Sequence, residues 1–395
     1  MIRVGFICDT FELGGQEQGC LEVLRRLDRG KFQPYFFSFR PGSLIPEVQA
    51  LGIPISIGHD KLASNTSWTA QDELARRDYS RRLSDELRTN AIQVCLIYAW
   101  NDGIKAACDA AVGAIVERVD GVCLASRLSD KSSCQKIICE SKTVRDVILA
   151  QKRLLKCRRE QLVVIPNGID LNRFNPDRYD RSRCRRALGL EPNDFVVCSV
   201  ARLAPEKNHS QLLQALRLLL DNGPEALASD TRPNTYALIV GPDAGCGPQL
   251  NAEAQRLGIS RQVRFLGSRS DIPEILHAAD TFVLTSVTEG TPFALLEAMA
   301  MGLPIVATQV GSIIETIDGN GFLTGVLRPE QTFKALAELR HDPGLSKQLG
   351  RRSRKLARRF DIDQMMHSYE QVLEAACKSA STTRADKIQP RLSIL

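Results

Sequence analysis

Short apolar runs alternate with longer stretches whose apolar positions recur at helical spacing, and the alternation is played through twice along the chain. In the first half, the runs at 2–8, 34–39, 53–57, 94–99, 114–119 and 136–139 predict strands, and the stretches at 16–27, 69–89, 102–111 and 141–155 predict helices. The second half restarts with strands expected at 195–201, 235–241, 263–267, 281–285 and 304–308. Helices are expected between them at 209–220, 249–257 and 293–301. Alternation of this kind implies an α/β fold with a parallel, doubly wound sheet in each half. From Pro329 to Cys377 the pattern is helical throughout.

The halves meet at 163–170, V-V-I-P-N-G-I-D, where an apolar strand makes a sharp exit at Pro-Asn-Gly. The following stretch, 171–194, is polar and Arg-rich and contains Pro176 and Pro192, so it reads as a linker. The expected division is a first domain over 1–170, that linker, a second domain over 195–360, a last helix over 361–378 and a disordered polar tail over 379–395. Asp361-Ile362-Asp363 matches a D-x-D metal motif in form, but at a helix start it reads as a cap that complements the dipole.

Composition narrows the class. The chain has 395 residues, 43% of them hydrophobic and 25% charged, which is ordinary for a soluble globular protein of two or three domains. The net charge of +6 is spread thinly, and Arg-rich stretches such as Arg81-Arg82 and 351–359 alternate with apolar positions. They read as solvated helix faces rather than a nucleic-acid surface. A lipid-linked substrate would bring such faces to the anionic surface of a membrane. Several of the twelve cysteines, Cys8, Cys95 and Cys198 among them, fall inside apolar runs and none forms C-x-x-C. Reduced thiols, no zinc site and a cytoplasmic location follow as expectations. The sequence opens on a strand, and no apolar run reaches the length of a membrane span.

The densest chemistry lies at 285–304, T-S-V-T-E-G-T-P-F-A-L-L-E-A-M-A-M-G-L-P. Thr291-Pro292 predicts a helix start with Thr as N-cap and Pro at the first helical position. The N–H groups of Phe293, Ala294 and Leu295 would then be free at the positive end of the helix dipole, a place for an anion. Two acids flank this start, Glu289 on the loop and Glu297 inside the helix. Acids beside an anion site fit a ligand whose phosphates lie on the helix and whose hydroxyls meet the carboxylates, which points to a nucleotide sugar. Arg202 follows a strand and Lys207 precedes the next helix, where together they can neutralise a diphosphate. The paired Gly14-Gly15 after the first strand is not G-x-G-x-x-G, which argues against a nicotinamide site, yet Gly15 leaves room for close approach of a phosphate or sugar.

The string S-x-x-E-G-x-P, four residues, then E-A-M-A-x-G-x-P-I-V-A resembles the signature of the retaining glycosyltransferases of family GT4, group 1. So do R-L-x-x-x-K-N at 202–208, the G-G-x-E loop and I-P-N-G-I-D. The resemblance implies a GT-B architecture, two Rossmann-like domains facing across a cleft, with the acceptor on the first and the nucleotide sugar on the second. It implies that Glu289, Arg202 and Lys207 act in catalysis. Donor binding would fall to Gly15, Gly290, Thr291, Pro292, Phe293, Ala294, Leu295, Leu296 and Glu297, with Gly241 and Arg264 near the base. No metal or cofactor is then required. The partners are a nucleotide-diphosphate sugar, with UDP-sugars ahead of GDP-mannose, and a glycan, lipid-linked or small-molecule hydroxyl acceptor. The pathway would be a bacterial surface glycan.

Two departures stand out. Relatives carry a histidine after the strand equivalent to 94–99, where this chain has Trp100, Asn101 and Asp102; Trp100 and Asn101 are candidate sugar or acceptor contacts. The family's two glycines are here Gly311-Ser312. An inactive binding subunit is one alternative, and a nucleotide-sugar 2-epimerase is another, although the His-poor first domain argues against the acid/base groups it would need.

Overall fold

A computed structural model describes residues 1–12, 14–58, 70–98, 101–121, 130–222 and 234–388. The chain forms two compact units, Met1–Pro166 with the segment from Asp363 onward, and Asn167–Ile362.

In the first unit the strands are β1 (Ile2–Cys8), β2 (Phe32–Ser38), β3 (Ile55–Ile57), β4 (Val94–Tyr98), β5 (Ala114–Val119), β6 (Lys136–Cys139) and β7 (Leu162–Val164). They form one parallel sheet in the order β3-β2-β1-β4-β5-β6-β7. Its helices are α1 (Gly15–Arg26), α2 (Ile45–Ala50), α3 (Ala70–Thr89), α4 (Asn101–Asp109), α5 (Lys142–Ala150) and α6 (Lys152–Leu155). The single helix expected at 141–155 is thus broken at Gln151, and Lys156 closes it in the left-handed region at φ 49°. Strands β4 and β5 are buried at every position, as a sheet covered on both faces demands.

The second unit begins earlier than the sequence pattern implies. The stretch 171–194 is part of it, carrying α7 (Arg181–Ala187), while Phe174, Cys184 and Leu190 lie in the same core cluster as Val196, Phe282 and Leu295. Its many arginines are structural: Arg181 and Arg185 both reach Asp280, at 2.6 and 2.7 Å, and Arg185, buried, also donates to four backbone carbonyls. The strands β8 (Phe195–Val200), β9 (Thr235–Val240), β10 (Val263–Phe265), β11 (Thr281–Leu284), β12 (Ile305–Thr308) and β13 (Gly321–Thr324) form a second parallel sheet, in the order β10-β9-β8-β11-β12-β13. Around it lie α8 (His209–Asp221), α9 (Gly247–Arg256), α10 (Ile272–Ala278), α11 (Phe293–Ala300), α12 (Ile313–Thr316), α13 (Pro329–His341) and α14 (Pro343–Ala357).

The last helix, α15 (Ile362–Ile388), returns to the first unit. Arg118 on β5 is fully buried and donates to the Tyr369 hydroxyl and, at 2.6 Å, to Asp120. Asp28 N–H donates to Glu370 at 3.1 Å. Burial alone would pull the Arg118 pKa down; Asp120, then Tyr369, Tyr98 and Glu140, outweigh it and hold the guanidinium charged. The helix runs through 379–388, where a disordered tail was expected, because extending an established helix is far easier than starting one.

Candidate functional site

In the second sheet, chain order reverses between β8 and β11, and at such a switch point the loops leaving the two strands diverge and open a crevice. Those loops carry Arg202 to Asn208 and Thr285 to Pro292. After β8 the chain makes a short 3-10 turn, Pro205–Lys207, and Asn208 takes the left-handed conformation, φ 46°, that starts α8. The loops are clipped together. Thr285 Oγ1 donates to the Asn208 carbonyl at 2.9 Å, Asn208 Nδ2 donates to the Thr285 carbonyl at 3.3 Å, and Val287 N–H donates to the Glu206 carbonyl at 2.8 Å.

This clip sets Lys207 against Glu289: Nζ lies 2.7 Å from Oε1, with the side chains 18% and 7% exposed. Ser286 Oγ donates to the same oxygen at 2.6 Å, and its own carbonyl accepts from Thr308 Oγ1 at 2.6 Å. Both bonds end on Oε1, which leaves Oε2 to accept from a ligand hydroxyl. Arg202 is not gathered into this cluster; its guanidinium pairs with Glu206 at 3.0 Å on the surface. Its carbonyl lies 3.1 Å from Nε2 of the buried His209, whose pKa burial lowers.

The start of α11 differs from the expected cap. Pro292, with extended backbone, is the N-cap residue and Thr291 stands outside the helix. The Thr291 hydroxyl lies instead 3.0 Å from that of Ser312, and its carbonyl accepts from Asn167 Nδ2 at 2.8 Å. Leu295 and Leu296 N–H both donate to the Pro292 carbonyl, so the unpaired donors of the first turn are Phe293 and Ala294, without Leu295. Leu295 and Leu296 bury their side chains in the core; Glu297 lies half-buried in the second turn, and Gly290 half-buried just ahead of Thr291. Behind the loop, Gly311 sits at φ +51°, where an added Cβ would fall 1.8 Å from the Glu289 carbonyl oxygen. The glycine that precedes Ser312 is therefore required, and the serine replaces backbone freedom with a hydroxyl contact.

Gly241 ends β9 at φ +149°, its N–H on the Gly267 carbonyl at 2.9 Å and its Cα against the Ala201 carbonyl, where a Cβ would lie 2.1 Å away. The Arg264 side chain is committed to architecture: it donates to the Leu188 and Gly189 carbonyls and stacks 4.3 Å from the centroid of Tyr236. In the first unit Gly15 is the first residue of α1, with open space where a Cβ would stand, and the Glu17 carboxylate folds back over Gly14. Gln16 Nε2 donates to the Tyr98 carbonyl at 3.4 Å, tying that loop to the end of β4. Trp100 lies outside the described residues, as does the side chain of Asn101, which opens α4.

Ser286, Asn167, Thr308 and His209 hold the site yet were given no role from sequence alone. Ser286 and Asn167 sit within the motifs already quoted; Thr308 and His209 carried no signal, because their contacts are tertiary. Among the described residues no group of three or more His, Cys, Asp or Glu is disposed to hold a metal ion. All cysteines among them are free thiols, and no helix is long and apolar enough to cross a membrane.

Residues 180–356, which include this site, match the family model of glycosyl transferases group 1. The chain is 33% identical over 181 residues to UDP-Gal:alpha-D-GlcNAc-diphosphoundecaprenol alpha-1,3-galactosyltransferase of Escherichia coli, covering 42% of this chain and 45% of that protein. It is 33% identical over 216 residues to D-inositol 3-phosphate glycosyltransferase of Actinosynnema mirum, covering 53% of this chain and 50% of that one. The chain thus spans about half the length of the curated relatives it matches. Among solved structures, Anabaena Alr3699/HepE in complex with UDP superposes with a TM-score of 0.75 at 22% identity, over 95% of this chain and 100% of that one. Residues 180–356 thus resemble the glycosyl transferases group 1, and the chain's two parallel α/β units are those of the GT-B fold.

Proposed function

We propose that this chain is a retaining glycosyltransferase that moves a sugar from a nucleotide-diphosphate sugar to the hydroxyl of a glycan, lipid-linked or small-molecule acceptor, in the cytoplasm, during synthesis of a bacterial surface glycan. The observation that carries the reading is the Lys207–Glu289 pair, with one carboxylate oxygen left open, on the loop that leads into the unpaired N–H groups of Phe293 and Ala294. Acid and anion site are contiguous there, which suits a ligand that is both polyol and diphosphate.

The roles follow from the chemistry. Lys207 and the start of α11 hold the leaving diphosphate, and Arg202 joins them by exchanging its exposed bond to Glu206 for a phosphate oxygen. Glu289 accepts from the donor sugar's hydroxyls and Glu297 from the ribose. The acceptor oxygen bonds to the anomeric carbon on the face from which the diphosphate departs, and a phosphate oxygen takes the acceptor's proton. With these cations and the helix dipole in place, the reaction needs no metal. A UDP-sugar is favoured over GDP-mannose: one relative is named for UDP-Gal, and the similar solved structure holds UDP.

The deciding experiment is calorimetric titration of the protein with UDP, GDP, ADP and dTDP in EDTA. Selective binding of UDP is expected. Binding to none of the four would sink the reading and leave an inactive binding subunit.

A further inference from the structure

The amino ends of the second sheet, opposite the nucleotide crevice, border a cavity of about 730 Å³. Phe195 at the start of β8, Ala279 before β11, and Leu303 and Pro304 before β12 line it from the sheet. Arg181 of α7, Arg340 of α13 and Lys347 of α14 line it from the helices. The volume is that of a small-molecule site. The turn at Gly302 also ends α11, so the cavity and the unpaired N–H groups of Phe293 and Ala294 lie at opposite ends of that helix, about 12 Å apart at the helical rise.

Positive charge is left over in this cavity. Asp280 takes Arg181 on Oδ1 and both Arg185 and the Val196 N–H on Oδ2, so one carboxylate serves two guanidiniums. The other acid of the lining, Asp194, is buried, and its oxygens accept from the backbone N–H groups of Glu191 and Asn234 at 2.8 and 3.0 Å. Arg181 donates through Nη1 to the His277 and Ala279 carbonyls, which leaves Nε and one hydrogen of Nη2 to bond elsewhere. Burial lowers the Arg181 pKa; Asp280 opposes that shift and Arg185 adds to it, as befits a guanidinium short of negative charge. Lys347 is exposed and has no acidic partner among the described residues.

We propose that this cavity is a second ligand site, for a compact phosphorylated sugar whose phosphate meets Arg181, Arg340 and Lys347. The cations call for a phosphate, and the rest of the lining selects what carries it. Asn193 and Ser346 belong to the wall, and their side chains make no hydrogen bond among the described residues, so an amide and a hydroxyl stand ready for sugar hydroxyls. Phe195, the one ring among the described lining residues, packs against the core, which leaves a nucleobase nothing to stack on. The proposal stands apart from the reading of the nucleotide site.

The test is calorimetric titration of the full chain with glucose 6-phosphate, inorganic phosphate and glucose, each separately. The sugar phosphate is expected to bind, and more tightly than phosphate or glucose. Lys347→Gln should weaken that binding roughly tenfold and Asn193→Ala about fivefold. Both side chains are exposed, so an unchanged melting temperature certifies the fold of each variant. Lys207→Ala should leave the binding intact, since that lysine belongs to the other end of the sheet. Absence of binding, or binding that Lys347→Gln leaves unchanged, would overturn the proposal. So would inorganic phosphate that binds as tightly as the sugar phosphate, or binding abolished by Lys207→Ala. A failed UDP titration beside intact binding of glucose 6-phosphate would bear on the nucleotide reading alone.

Discussion

Lys207 and Glu289 are distant in sequence but stand 2.7 Å apart, each from a loop that leaves the carboxyl end of a neighbouring strand. The pair joins the cation proposed to meet a phosphate to the acid proposed to meet a hydroxyl. In the structure each occupies the other.

That mutual occupation makes the two residues unequal to simple surface charges. Glu289→Gln should leave the Lys207 ammonium without its anion in a mostly buried place, costing about 1–3 kcal/mol of stability. Lys207→Ala and Glu289→Gln should each lower transfer from the cognate donor by about two to three orders of magnitude. Urea denaturation and initial rates check the two arms separately. A rate unmoved in both variants would remove the pair from catalysis.

Gly311 and Ser312 support the same loop from behind. Gly311→Ala places a methyl into the Glu289 carbonyl at a backbone angle that L residues rarely adopt, so a loss of about 1–3 kcal/mol and weakened nucleotide binding are expected. Ser312→Gly removes the partner of the Thr291 hydroxyl and should cost about 1 kcal/mol. Calorimetric titration with UDP should show the alanine variant affected far more than the glycine one.

His209 gives the unit a pH dependence. Burial lowers its pKa below the ordinary 6.5, so on acidification the unfolded chain takes up the proton first. Its contribution to stability is present above about pH 6.5 and is lost as the pH falls toward the folded value. Melting temperatures measured from neutral to mildly acid pH should fall in the native protein. His209→Gln should flatten that part of the curve.

Tyr369 anchors the final helix to the first unit. Tyr369→Phe deprives the fully buried Arg118 of an acceptor, and about 1–3 kcal/mol of destabilisation is expected. Amide hydrogen exchange in α15 should quicken before that of β5, since the strand keeps its two neighbours in the sheet.

Sequence reasoning reached every strand but β13 and placed Lys207 and Glu289 on the two loops that meet at the switch point, because motif and periodicity are both contiguous signals. It misjudged groups whose partners are remote. Thr291 has the composition of an N-cap, but the hydroxyl of Ser312, far along the chain, competes for it. Arg264 lies within β10, whose following loop is the expected base site, yet Tyr236 and two carbonyls of the α7 turn hold its guanidinium. The polar stretch 171–194 has a linker's composition because its arginines count as surface residues until Asp280 is seen to receive them.

That reception of charge bears on how the second unit could be transplanted. Asp280 accepts from Arg181, Arg185 and the Val196 N–H together, and Asn167 holds the Thr291 carbonyl from the very start of the unit. A chimera spliced at Phe195 would import the carboxylate without either guanidinium, and the 285–292 loop without its clamp. An exchange of this unit keeps the loop's geometry only when 167–194 travels with the sheet it braces.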